Sequence, residues 1–554
     1  MVLVKKIKRK LTQNKVVRRV SKEHRLRKFY KHGITGIENS KTILFWSTGG
    51  MLIQTSLEAV NACALKLRGH NVKMILCDGV FKACAKRVDN PEIEIKDWGK
   101  YCPGCIKKNS EIPEKLGIEY EFISNLINGE ELQKLREISE TVNFKNYKDF
   151  KYKDYCIGTH IASAMVRHTR GGSFEGLEEL LKEYSTAVLV VTETSERALS
   201  KYKPDMVYMS HGIYADWGPA CTVALEKKLP VVSYVCSYLN SHFYYGIIRN
   251  YKETFTGIRK STWELFKDIG LTDVQKKRLK DFLQRRYMKK ISGDMNGLIK
   301  DFRGDKDYFF KKYGLDKDKP VWGIMTHINW DAASDYFPMI YENFDDWLYD
   351  TVKTIYDIND VQWLIKIHPS EKVDNPETGC QKFIEKNFPD LPPHIKVVKM
   401  DDDISPEDFY SLLSGAVTVM GTGGLELSIK GKPVILAGEA HYSGKGFTYD
   451  AKDKEHYARM LRDAAKIEKP DEEKVNAAIR YAYIYFILRQ IPLPPAIGEN
   501  LKINMDKIKS ILPGRDKFTD FLCNAIAEGK DMILPEELMD QTKVEQKDQI
   551  RQHV

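Results

Sequence analysis

The strongest constraint on how this chain can fold is a rhythm: short β-branched, apolar runs alternate with helical stretches, in two separate sets. The first set is TILFW (42–46), VKMILC (72–77), EYEFI (119–123), TAVLVV (186–191), MVYM (206–209) and VVSYV (231–235). The second is VWGIM (321–325), WLIKI (363–367), IKVV (395–398), AVTVM (416–420) and PVILA (433–437). Strands spaced by helices predict parallel sheets, because a parallel pair needs a crossover connection. A charged, strand-poor stretch from 251 to 312 divides the two sets. The expectation is therefore an α/β chain of two such domains, 38–250 and 313–470, joined by a helical connector, 251–312, with a ligand cleft between them. The 554 residues are too many for one core. Beyond 470 the pattern is helical, with Tyr481, Tyr485 and Leu488 on one face and IPLPP as a breaker, so 471–554 reads as C-terminal helices and a polar tail.

Ligands of open α/β sheets bind outside the carboxyl ends of strands, and two segments put polar residues there. In 416–450, an apolar strand runs into Gly421, Thr422, Gly423 and Gly424 and then a helix start. Glycines let backbone approach a ligand, and free first-turn amides favour negative charge. Glu426, in the first turn, could accept a sugar hydroxyl. In QWLIKIHPSEK (362–372) a strand ends in Lys366 and His368, suited to phosphate oxygens. Two anion sites in one domain suggest a nucleotide. Further along, Lys445 lies between two glycines and could reach a phosphate or carboxylate, with Thr448 as a hydrogen-bonding partner. The alternatives are an ordinary strand–turn–helix crossover, a histidine buried against the sheet and a solvated lysine.

In the first domain, Thr48, Gly49 and Gly50 follow the first strand as a ligand-contacting turn. SHGIYADWGPA (210–220) carries His211, Tyr214 and Trp217, and an imidazole at a strand end is a candidate general base. IGTHIASAMVRHTRG (157–171) adds His160, Arg167 and Arg170 on a predicted helix, while THINWDA (326–332) sets Asn329 and Asp331 near the cleft. Asp401, Asp402 and Asp403 read as an acidic loop ahead of a helix capped by Ser405, in preference to a metal site. No Walker or dinucleotide fingerprint occurs, which disfavours ATP hydrolysis and hydride transfer.

The net charge of +10 is local: residues 1–37 hold thirteen Lys or Arg against Glu23 alone, so the remainder is near neutral. Apolar Val4, Ile7, Leu11, Val17 and Val20 recur at roughly helical spacing. Such an arm suits an anionic membrane surface; a solvated tail is the plain alternative, and nucleic acid is disfavoured for want of a downstream motif. No run of about eighteen apolar residues and no signal-type segment is present, so a cytoplasmic location, at the inner face of the membrane where the arm engages it, is expected. Ten cysteines then imply thiols. Cys77, Cys84, Cys102 and Cys105 are spaced to suit a structural zinc or an iron–sulfur cluster, with four unligated thiols as the alternative.

IKIHPSE, GTGGLELSIKGKPVILAGEAHYSGKGFT, THINWDA and PDMVYMSHGIYADWGPA together resemble the GT-B glycosyltransferases of capsule and surface-polysaccharide biosynthesis. The resemblance implies two Rossmann-like domains, a nucleotide-sugar donor (CMP- or UDP-linked) in the C-terminal one, and a glycan or lipid-linked glycan acceptor in the N-terminal one. It also implies C-terminal helices crossing back to the first domain; no catalytic metal is expected. His368 would contact donor phosphate and Gly421 to Glu426 the rest of the nucleotide. The His-Pro pair is similar to that of transferases using CMP-activated acidic sugars or CDP-glycerol, although the latter usually carry a serine-rich turn where this chain has GTGG. The same segments are similar to non-hydrolysing UDP-sugar epimerases, and a non-catalytic nucleotide- or glycan-binding scaffold is the remaining alternative.

Overall fold

The computed structural model describes residues 25–48, 51–250, 253, 257–287, 300–331, 338–374, 376–498 and 501–539. Two open sheets dominate it. Strands β1 (Thr42–Ser47), β2 (Asn71–Leu76), β3 (Tyr120–Phe122), β4 (Met206–Ser210), β5 (Val231–Cys236) and β6 (His242–Ile248) belong to the first. Strands β7 (Val321–Met325), β8 (Gln362–Lys366), β9 (Ile395–Val398), β10 (Gly415–Thr418), β11 (Val434–Leu436) and β12 (Tyr449–Asp450) make the second, and β13 (Ile491–Pro492) returns to the first. The first sheet runs β13-β6-β5-β4-β1-β2-β3, all in one direction except β6, which is antiparallel to both its neighbours. The second runs β9-β8-β7-β10-β11-β12, parallel throughout. In each, the connection reverses direction beside a central strand, leaving a crevice between β1 and β4 and another between β7 and β10.

The strand sequences explain the layering. Along β1, Ile43 and Phe45 enter one core, while Leu44 and Trp46 enter the opposite one, so both faces are covered and the strand reads as continuously apolar. Helix α1 (Leu52–Leu67) covers the first face and α2 (Cys102–Leu116) lies beside it. The second face carries α3 (Gly158–Thr169), α4 (Glu178–Tyr202) and α5 (Tyr214–Glu226). In the second domain Trp322, Trp347 and Trp363 are fully buried.

The run TAVLVV, expected as a strand, lies inside the 25-residue helix α4. A short apolar run carries no period of its own when every face is buried, as here. Thr192 and Thr194 donate to the carbonyls of Val188 and Val190, one turn back, so the β-branched stretch keeps its polar groups satisfied within a helix. The antiparallel strand β6, HFYYGII, was not among the expected strands.

Helix α6 (Asp273–Tyr287) is the chief element of the connector. Its Leu279, Phe282, Leu283 and Tyr287 are buried in the second core together with the C-terminal helical region. Helix α7 (Thr422–Ser428) follows β10. Helix α8 (Glu472–Tyr483) continues through a π-helical turn, Ile484–Leu488, and the expected face of Tyr481, Tyr485 and Leu488 is buried. The chain then crosses back: β13 pairs with β6, and α9 (Lys517–Glu528) packs on α1, with Asp520 accepting from Arg68. Residues 1–24 of the basic arm lie outside the described residues. Among the described residues no helix is long and apolar enough to cross a membrane.

Candidate active site

A cavity of about 650 Å³ opens at the carboxyl edge of the second sheet, at the β7–β10 crevice. Its lining brings together Lys366, His368, Gly421, Thr422, Gly423 and Glu426, residues drawn from two segments more than fifty positions apart. The lining also includes Tyr238 of the first domain and Arg286 of α6.

His368 stands just beyond β8. Its amide donates to Thr326 Oγ1 at 3.0 Å, and its Nδ1 accepts from the Ser370 amide at 3.2 Å. Burial, with Lys366 nearby, lowers its pKa to about 4, so the ring is neutral at pH 7. With Nδ1 an acceptor, the proton resides on Nε2, which makes that nitrogen a hydrogen-bond donor. Burial also draws Lys366 down to about 8, opposed by Asp402. Asp402 is itself held by Lys312 at 2.8 Å, and Ser405 caps the following helix as expected.

His327 was not singled out in the sequence, yet it spans the crevice. Its Nε2 receives the amides of Val419 and Met420 at 3.2 and 3.3 Å, and its ring stacks on Phe344 with centroids 4.6 Å apart. It therefore ties the end of β7 to the turn after β10. At that turn the amides of Thr422 and Gly423 enter the first turn of α7, where no intrahelical acceptor exists.

Packing alone requires glycine at two of these positions. A Cβ on Gly423 would stand 2.0 Å from Met325 Cε, and one on Gly424 would stand 2.1 Å from Tyr442 Oη. Gly424 is buried outside the cavity lining. Glu426 is likewise not open for a sugar hydroxyl. It is 2% exposed and accepts from Arg286 Nε at 3.0 Å, Tyr410 Oη at 2.9 Å and Tyr287 Oη at 3.2 Å. Lys445 and Thr448 do not line the cavity; Thr448 donates to Asp450 Oδ1 at 2.6 Å, and Lys445 is half-buried on the side of Lys260 and Glu264.

The first domain meets this site at a seam. Arg167 Nη1 reaches Asp331 Oδ1 at 2.8 Å and Tyr214 Oη at 2.7 Å, and Tyr214 donates to the same carboxylate oxygen at 3.0 Å. The guanidinium groups of Arg167 and Arg170 lie 5.3 and 5.1 Å over the Trp330 ring. Tyr214 holds a φ of +62°, a left-handed conformation that is costly for a side-chain-bearing residue and that typically marks functional turns. Asn329 is turned away, bonding to Asp345 and the Thr378 carbonyl. His211 packs edge-on against Trp217 at 5.1 Å and Tyr214 at 6.2 Å, and burial, aided by Arg167, lowers its pKa to about 3. It does not line the cavity. His160 is buried between α3 and α5, within 2.9 Å of Thr222 Oγ1, so it packs rather than contacts an acceptor. Thr48 is buried beyond β1, and Gly49 and Gly50 lie outside the described residues.

The four clustered cysteines do not assemble a metal centre: among the described residues no group of three or more His, Cys, Asp or Glu is placed to hold an ion. Burial raises the Cys77 and Cys84 thiols well above their ordinary range. Cys105 accepts from Asn109 Nδ2 at 3.2 Å, and none of the ten cysteines forms a disulfide.

Residues 347–485, which contain most of the cavity's chemistry, match the family model described as "Capsule polysaccharide biosynthesis protein". No curated protein matches the chain. Among solved structures, the chain is similar to the beta Kdo 2,4 transferase KpsC of Thermosulfurimonas dismutans, at 17% identity over 56% of this chain and 87% of that one, with a TM-score of 0.35. It is similar to the UDP-GlcNAc 2-epimerase of Neisseria meningitidis, at 11% identity over 80% and 94%, with a TM-score of 0.26. It is also similar to the glycosyltransferase SnogD of Streptomyces nogalater, at 12% identity over 80% and 95%, with a TM-score of 0.22.

Proposed function

We propose that the protein is a glycosyltransferase of capsule-type polysaccharide synthesis, which transfers a sugar from a nucleotide-activated donor to a glycan acceptor. The observation that carries this reading is the meeting of Lys366, His368 and the Gly421–Glu426 turn in one cavity at the switch point, inside the segment matched by the capsule family model. The donor's phosphate would take hydrogen bonds from His368 Nε2 and the Thr422 and Gly423 amides, with Lys366 as the nearby cation. These donors are fixed before the ligand arrives, so they stabilise negative charge as it develops on the leaving phosphate.

The acceptor would enter from the first-domain side, across Arg167, Arg170 and Tyr214. Deprotonation of its hydroxyl is assigned to Asp331, which lines the cavity, and not to His211, which does not. The basic arm, residues 1–37, would hold the enzyme near anionic lipid carrying a glycan. A thermal-shift screen against CMP, CDP, UDP, GDP and their sugars, followed by turnover with His368→Ala, tests the reading. Nucleotide stabilises the wild type, and the variant stays folded but inactive. Wild-type turnover in His368→Ala removes the phosphate role, and conversion of a nucleotide sugar to its epimer without an acceptor replaces transfer with epimerisation.

A further inference from the structure

Arg286 is a residue for which no sequence motif prepares. It sits near the end of α6, in the connector, 140 positions from its ion-pair partner Glu426. Only Nε is engaged by that carboxylate; among the described residues the structure gives Nη1 and Nη2 no acceptor. The guanidinium carbon lies 4.1 Å from the centre of the Tyr238 ring, and the Tyr238 hydroxyl is 2.6 Å from Thr422 Oγ1. Arg286, Tyr238 and Thr422 all line the cavity. Glu426, with Tyr287 and Tyr410 donating to its other oxygen, holds the guanidinium in place from behind.

Placement over an aromatic ring plus one fixed Nε bond leaves a guanidinium with its paired Nη groups held and available, the geometry that suits a two-oxygen anion. The carboxylates around the cavity are already matched: Glu426 with Arg286, Asp402 with Lys312, Asp331 with Arg167. An incoming anion therefore meets donors rather than uncompensated acids. Lys300 and Lys366 add positive charge to the same lining.

We propose that Arg286 binds the anionic group of the ligand through its Nη nitrogens, with Glu426 and Tyr238 as its positioning residues. This rests on the reading above that the cavity takes a nucleotide, and it assigns the connector, and not only the second domain, to recognition of the phosphate. Because Tyr238 belongs to the first domain, the same contact makes anion binding sensitive to how the two domains close.

Titration calorimetry on the full chain tests it with three probes: the nucleotide giving the largest thermal shift, its nucleoside, and inorganic pyrophosphate. Arg286→Gln is expected to weaken nucleotide and pyrophosphate by about ten- to a hundredfold, the size of one charge-assisted hydrogen bond, with nucleoside affinity unchanged. Since Arg286→Gln leaves Glu426 buried without its cation, the double variant Arg286→Gln/Glu426→Gln removes the pair together and is expected to show the same loss. Glu426→Gln alone should lose less than Arg286→Gln, the donor remaining but less firmly held. Full nucleotide and pyrophosphate affinity in the double variant overturns the proposal and leaves the nucleotide reading intact. Arg286-dependent pyrophosphate binding without nucleotide binding does the reverse. A wild type that binds neither ends both.

Discussion

At the scale of single residues, the site is defined by how strongly burial holds each titratable group in one form. His211, His327 and His441 have pKa values lowered to about 3 and His168 and His368 to about 4, each chiefly by burial. Glu58 and Asp216 are raised to about 7, also chiefly by burial. A histidine whose folded pKa is depressed contributes stability above its unfolded value of about 6.5, and that contribution is lost as pH falls towards 4. A carboxyl whose folded pKa is raised contributes below about 4, and loses that contribution as pH rises through 7. Five histidines against two carboxyls leave the unfolded chain binding more protons between about pH 4.5 and 6.5, so stability should rise with pH across that window and level off above it. Urea unfolding at half-unit intervals checks this, and a midpoint that is flat or falls from pH 4.5 to 6.5 contradicts it. Position separates the two candidate bases, since Asp331 lines the cavity and His211 does not. Asp331→Asn is expected to lower kcat by about 10²- to 10⁴-fold with donor affinity retained, whereas His211→Gln should change kcat by less than about tenfold. The placement of Lys366 and His368 at the cavity was legible in the sequence because a strand end fixes position. Arg286 and His327 were not, because their roles depend on partners about 140 and 90 positions away.

At the scale of elements, legibility depended on whether an apolar run had neighbours that declare its period. Ten of the eleven expected strands are strands because helical sequence with opposite periodicity flanks them. TAVLVV lacked that contrast and joined the helix on either side. The GTGG turn shows the converse ambiguity. A glycine needed for ligand approach and one needed for packing look alike in sequence, and here Gly423 and Gly424 face Met325, Tyr410 and Tyr442. Gly424→Ala would drive its methyl into Tyr442 Oη, which donates to the Gly421 carbonyl at 2.6 Å. Overpacking of this kind costs about 1–3 kcal/mol, and the displaced hydroxyl also loosens the turn that presents the Thr422 and Gly423 amides. Gly424→Ala should therefore lower both unfolding stability and nucleotide affinity, and Gly424→Ala/Tyr442→Phe should recover part of the stability by removing the atom the methyl meets. Equal stability of Gly424→Ala and wild type in chemical denaturation would mean that the turn has room the structure does not show.

At the scale of the whole molecule, three separate pieces converge on one cavity: the second domain supplies the sheet edge, the connector Arg286, and the first domain Tyr238, with Arg167 and Tyr214 outside the lining but bonded to Asp331 within it. The C-terminal strand and helix return to the first domain, so both ends of the second domain are tethered to it. That arrangement was legible only in outline, since crossing back requires β13, a two-residue strand too short to carry a pattern. The basic arm is a different kind of feature, because its contribution is charge and needs no particular packing. Residues 1–24 carry nine Lys or Arg against Glu23, while the rest of the chain is close to neutral, so removal of this segment takes away most of the molecule's positive field. Each basic residue near an anionic surface is worth about 1 kcal/mol, and the attraction fades beyond a Debye length of about 8 Å at physiological salt. The full chain should therefore sediment with phosphatidylglycerol vesicles at about 50 mM salt, release from them by about 500 mM, and ignore phosphatidylcholine vesicles. The chain lacking residues 1–24 should remain unbound on both lipids, yet keep its nucleotide thermal shift within about 1 °C, because the described lining residues run from Tyr238 to Glu426. Vesicle binding that survives the deletion would relocate the membrane contact to the folded domains, and loss of the nucleotide shift would make the arm part of the site.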